Sequence, residues 1–147
     1  SRRRLDVPTT APAGRSSSTL YSYMPKEPLV MLGSNYDYLD EIIKSVSENI
    51  IEVINPLKLI VDGVVKNNYD IQDSTQISSG QKSVIALYRT ILNQGVLILD
   101  EPLSSMDAES KLMVLDVLNN LSKNMLIIMI SHDCIFDQVP LNILKLE

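Results

Sequence analysis

Two carboxylates and a histidine stand where apolar runs end. Asp100 and Glu101 follow Val96-Leu97-Ile98-Leu99, and His132, the only histidine of the chain, follows Met125-Leu126-Ile127-Ile128-Met129-Ile130 and Ser131. Short continuous apolar runs fit strands buried in a sheet, and α/β sheets gather their ligands at the carboxyl ends of such strands. A third group is Ile77-Ser78-Ser79-Gly80-Gln81, a small polar turn ahead of apolar residues at helical spacing. A helix opening there offers free backbone N–H groups and the positive end of its dipole, which is an anion site. An anion cradle, paired carboxylates and a histidine at strand ends together suggest phosphoryl chemistry.

The elements that must position these groups can be read from the same pattern. Val84, Ile85, Tyr88, Ile91 and Leu92 form the buried stripe of a helix over Ser79–Leu92, with Ser78 or Ser79 as its N-cap. Asp107 is the expected N-cap of a second helix, Ala108–Leu121, with Glu109 in its first turn where the charge favours the dipole. The runs at 96–100 and 125–130 lack alternation, which predicts neighbouring parallel strands covered by helices on both faces. Residues 39–54 carry a helical stripe that Pro56 should stop, residues 57–65 form a second apolar patch, and residues 70–77 read as a polar approach loop. A helical turn at 133–137 and a closing strand at 141–146 complete an α/β, three-layer core with a mainly parallel sheet.

The totals limit what such a core can do. The chain has 147 residues, 45% of them hydrophobic but only 5% aromatic, so its core is aliphatic. A net charge of −5 argues against a broad nucleic-acid footprint, and no nucleic-acid partner is expected. The single Cys134 excludes an internal disulfide and suggests a reducing compartment. No apolar run approaches the roughly 20 residues that cross a bilayer, so any membrane spanning falls to another chain or segment.

In order and spacing, apart from one residue fewer between the first two pieces, these motifs resemble the C-terminal half of an ABC-type (ATP-binding cassette) ATPase domain. Ile77–Gln81 is similar to that family's signature motif, 96–101 to its Walker B strand, 104–107 to its D-loop, and His132 to its switch histidine. The resemblance implies a P-loop NTPase-like fold, ATP and Mg²⁺ as cofactors, and a second ABC ATPase domain as dimer partner. It also implies residue roles. Asp100 would hold Mg²⁺, Glu101 would polarise the attacking water as general base, and His132 would donate to the γ-phosphate. Ser78, Ser79, Gly80 and Gln81 would face a nucleotide held by the partner, and Asp107 would help join the two sites.

The departures are as informative as the matches. Ser79 replaces the first glycine of the signature, a change that strains the backbone by roughly 1–2 kcal/mol if the position needs positive φ. Residues 11–20 resemble a decayed Walker A loop in which Gly-Lys has become Ser16-Ser17; without that lysine and its glycines the loop should not hold ATP. Residues 23–29 resemble an exporter Q-loop entry with Lys26 at the glutamine position, and Ser47-Glu48-Asn49-Ile50 resembles the segment that docks on transmembrane coupling helices. Thr19 and Lys26 lie seven residues apart, too close for the intervening part of a full domain, so the N-terminal side reads as truncated. Residues 1–22 are then a disordered tail or a degenerate Walker A remnant, and 23–147 a partial ABC ATPase domain.

The function that the resemblance implies is ATP binding and hydrolysis coupled to transmembrane transport, when the chain is paired with an intact partner or the missing segment. The isolated chain is expected to be inactive. Its place would be cytoplasmic, held at the membrane face through a transmembrane partner domain. Two alternatives stay open: a soluble ABC-type ATPase of the translation-factor or chromosome-maintenance kind, and a catalytically inactive interaction remnant.

Overall fold

The computed structural model describes residues 20–30, 37–67 and 77–137. Its elements in chain order are β1 (Tyr21–Met24), α1 (Asp37–Ile43), α2 (Glu48–Asn67), α3 (Ser79–Leu92), β2 (Val96–Asp100), α4 (Ala108–Leu121), β3 (Ile127–Ile130) and a 3₁₀ turn (Cys134–Asp137). The three strands form one parallel sheet in the order β1-β2-β3. The fold is α/β, and β2 and β3 pair side by side as their apolar runs require. Tyr21 and Ser22, grouped with the tail on composition, belong to β1; the closing strand at 141–146 and the Walker A-like stretch at 11–19 lie outside the described residues.

Register decides which strand residues enter the core. Met24, Leu99 and Met129 are aligned across the sheet, as are Tyr23, Ile98 and Ile128. The first row faces inward: Met24 and Leu99 are buried, as is Leu97. They share a core cluster with Ile85, Leu87 and Ile91 of α3 and with Val114 and Leu118 of α4. The second row does not, for Tyr21, Tyr23, Ile128 and Ile130 are exposed. Covering on both faces, expected from the unbroken apolar runs, is thus observed on one face among the described residues.

Pro56 does not end a helix. α2 runs through it, with the proline ring on an exposed position. An interior proline costs about 3 kcal/mol, but the stripe it interrupts buries Ile54, Leu57, Val61 and Val64. Each such side chain contributes roughly 1.5–3 kcal/mol when fully buried, so packing outweighs the lost bond. The break falls earlier, at residues 44–47, where Ser45 Oγ donates to the Ile42 carbonyl at 2.7 Å and draws that group away from the helical ladder. α2 then packs on both α3 and α4, and α1 on α3. Among the described residues no helix is long and apolar enough to cross a membrane.

Tyr88 reports on this packing. Burial, reinforced by the charges of Asp62 and Asp40, pushes its phenol up to about 12 from the ordinary 10.0. A folded-state value above the unfolded one means that its stability contribution is complete below pH 10 and disappears as the pH rises towards 12. Urea melts across that range should show wild type losing stability relative to Tyr88→Phe. Parallel curves for the two proteins would contradict the burial of the hydroxyl.

Candidate functional site

The helix that carries the signature-like turn is capped from within. Ser78 is the N-cap of α3; its Oγ accepts the Gln81 N–H at 3.1 Å, and Gln81 Oε1 accepts the Ser78 N–H at 3.2 Å. This reciprocal capping box satisfies two orphan donors. It also occupies the side chain of Gln81, which therefore serves the helix end. Ser79 is the first helical residue and has no positive φ, so the strain considered for a non-glycine residue there is absent. The N–H groups of Ser79 and Gly80 remain at the first turn, where a helix supplies no partner of its own.

The start of α4 meets the same place. Asp107 caps it, with Oδ1 accepting the Ser110 N–H at 2.7 Å, a bond that holds the Asp107 carboxyl below its usual range. The connecting turn is fixed by buried Leu103 and Met106, with the Met106 N–H donating to the Leu103 carbonyl. Ser78–Gln81 and Ser105–Asp107 thus line one open cleft of about 440 Å³, to which Ser110 and Ile60 also contribute. Two helix N-termini converge on it; that of α4 already holds the Asp107 carboxylate, which leaves the first-turn N–H groups of α3 as the ones suited to an anion. The closeness has a steric condition: a Cβ at Gly80 would stand 3.0 Å from the Ser105 carbonyl oxygen.

A second group forms at the carboxyl ends of the strands. Glu101 leaves β2 with φ 47, a left-handed conformation that non-glycine residues seldom adopt and that clusters at functional positions. Its N–H donates to the Ile130 carbonyl at 2.8 Å, joining the ends of β2 and β3. Its Oε1 accepts the His132 N–H at 3.1 Å and lies 3.7 Å from His132 Nε2. The Glu101 side chain is 11% exposed and that of His132 is 94% exposed, so the carboxylate is held while the imidazole projects. Asp100 is half-buried beside Tyr23, whose hydroxyl stands 3.5 Å from Oδ2. Lys26 is exposed two residues beyond β1, at this same end of the sheet, and pairs with no described residue.

Asp100, Glu101 and His132 are therefore brought together, and Ser78–Gln81 with Asp107 form a separate cleft. Among the described residues no three His, Cys, Asp or Glu side chains could cage a metal ion. The carboxylates at the end of β2 suit Mg²⁺ only as part of a shell, the usual arrangement where substrate phosphates and waters supply the other oxygens. Sequence reasoning missed Ser110, the contact of Tyr23 with Asp100 and the ion pair Lys111–Asp133, each of which depends on a partner distant in the chain or across a turn.

No protein-family model matches the chain. It is 34% identical over 108 residues to ABC transporter B family member 14 of Arabidopsis thaliana, covering 70% of this chain and 8% of that protein. It is 31% identical over 126 residues to ABC transporter B family member 3 of Dictyostelium discoideum, covering 78% and 8%. Against the zinc import ATP-binding protein of Wolbachia pipientis it is 29% identical over 125 residues, covering 80% of this chain and 49% of that one. The chain thus spans about half of the import protein and a small part of the longer transporters. Its fold matches, with a TM-score of 0.55 at 14% identity, that of an ATP-binding cassette dimer bound to ADP and Pi, covering 79% of this chain and 53% of that chain. The α/β fold with its parallel sheet agrees with these relatives, and the chain belongs to the ABC-type nucleotide-binding domains.

Proposed function

We propose that the chain works as part of an ATP-binding cassette pair whose ATP hydrolysis is coupled to transmembrane transport, and that it offers the partner's nucleotide the Ser78–Gln81 cleft. The observation that supports this most is the convergence of the α3 and α4 N-termini on one cleft, apart from the strand-end carboxylates. A helix-terminal cleft and a separate carboxylate group suit a domain that contributes to two sites. Bound Mg·ATP supplies the phosphoanhydride to be cleaved. Where an intact segment supplies the phosphate loop, Asp100 would hold the ion, Glu101 would polarise the attacking water and His132 would donate towards the γ-phosphate, with Glu101 Oε1 steadied by the His132 backbone N–H. Asp107 lines the α3 cleft, on the face at which the partner would be met. The named relatives are transporters and transport ATP-binding proteins, which favours this reading over a translation-factor or chromosome-maintenance ATPase. Such a domain works on the cytoplasmic side, held at the membrane by a transmembrane partner.

Calorimetry of the purified chain with ATP·Mg tests the division of labour. Residues 11–20 carry no lysine and only one glycine, Gly14, where a phosphate loop needs several, and each charge-assisted hydrogen bond forgone is worth roughly 1.5–3 kcal/mol. Binding should be no tighter than about 1 mM, or about −4 kcal/mol. Micromolar binding by the monomer would show that the chain builds a complete site of its own.

A further inference from the structure

Three side-chain ion pairs involving lysine occur among the described residues, and one differs in kind. Lys44–Glu41 and Lys58–Asp62 are exposed pairs within one turn of the same helix or its end. Lys111–Asp133 spans 22 positions at 2.5 Å, with side chains only 24% and 15% exposed. It joins α4 to the segment that follows β3. Lys111 sits one turn after Asp107, its N–H donating to the Asp107 carbonyl at 2.9 Å, so its stem rises from the fixed first turn of α4.

Asp133 is the hub of the loop it receives. Its Oδ1 accepts the Ile135 N–H at 3.1 Å, and its own N–H donates to Ser131 Oγ at 3.1 Å. Lys111, followed by the Ile135 N–H, holds the Asp133 carboxyl below its usual range. Between Ser131 and Asp133 stands His132, whose N–H reaches Glu101 Oε1. The imidazole is almost fully exposed and has no packing to place it. Its backbone is therefore located by the Glu101 contact on one side and by the Asp133 hub on the other.

From this geometry we infer that Lys111 is a positioning residue for the Glu101–His132 pair, acting through Asp133. Lys111 clamps the 131–135 loop to the first turn of α4. The clamp keeps the His132 N–H on Glu101 Oε1 and so sets where that carboxylate points. Its bearing on turnover rests on the function proposed above, whereas the positioning itself does not.

The test is amide hydrogen exchange by NMR on the full chain without nucleotide, so that its outcome is independent of whether the chain hydrolyses ATP. Lys111→Met keeps most of the aliphatic stem and removes the charge. It should speed exchange at His132 and Ile135 about tenfold, the loss of one charge-assisted hydrogen bond, and leave Leu97 and Leu99 in β2 unchanged. Lys111→Arg should restore protection. Asp133→Asn, which keeps an oxygen for the Ile135 N–H but loses the ion pair, should speed His132 in the same way; it decides the matter if Lys111→Met loosens the core. Unchanged exchange at His132 in Asp133→Asn, or an arginine variant no better protected than the methionine one, overturns the assignment.

Discussion

Leu99→Ala should remove a large part of the stability of this fold. Leu99 is fully buried in the central strand, aligned with Met24 on one side and Met129 on the other, in the residue before Asp100. Leucine-to-alanine changes at such sites cost about 2–5 kcal/mol, the transfer of the lost groups plus the cavity they leave. A domain of this size holds only about 5–15 kcal/mol in all. With a urea dependence of roughly 1–3 kcal/mol per molar, the midpoint should fall by about 1–2 M. Ile98→Ala supplies the comparison, because Ile98 lies one residue away in the row that includes exposed Tyr23 and Ile128. It should cost clearly less. Equal losses for the two variants would mean that the inner and outer faces of the sheet are wrongly assigned.

The same contrast shows what a sequence of this kind makes legible. α3 and α4 have the bounds expected from their stripes and caps, because Ser78 with Gln81 and Asp107 with Ser110 are local devices, complete within four residues. β2 is equally plain, since a continuous apolar run flanked by polar residues has few other uses. The grouping of Asp100, Glu101 and His132 is legible once β2 and β3 are parallel neighbours, for parallel strands bring their carboxyl ends to one edge. The illegible features depend on partners far away in the chain. Local rules predict that Pro56 stops a helix, and they are overruled by Leu57 and Val61 packing into the core. β1 is hidden in a polar setting, its alternation Tyr21-Ser22-Tyr23-Met24 acquiring meaning only beside β2. An unbroken apolar run in β3 suggests two covered faces, although Ile128 and Ile130 are exposed. Lys111 carries no signal at all, because its meaning lies in Asp133.

Ser78→Ala combined with Gly80→Asp should abolish whatever stimulation this chain gives to an intact ABC-type partner, while Glu101→Gln on this chain should leave it nearly unchanged. Both parts of the double change act at the α3 cleft. Ser78→Ala removes the N-cap acceptor of the Gln81 N–H, a loss of about 0.5–2 kcal/mol to the helix end. Gly80→Asp has two effects. A Cβ there stands 3.0 Å from the Ser105 carbonyl oxygen, so the turn and the start of α4 must separate slightly. The carboxylate also brings a second negative charge to a cleft that already contains the Asp107 carboxylate, opposing any anion drawn to the first turn of α3. A helix terminus contributes up to about 2 kcal/mol to a partly buried anion, which limits stimulation through one terminus to roughly thirtyfold. Reversing the local field should eliminate that gain. Glu101, in contrast, lies in the strand-end group, and residues 11–20, with one glycine and no lysine, are not expected to hold a nucleotide against it. The measurement is the partner's steady-state ATPase rate against increasing concentrations of each variant, with thermal melts to confirm that each is folded. If Glu101→Gln stops turnover while the double variant does not, the chain carries a working active site of its own and the signature cleft is not its contribution.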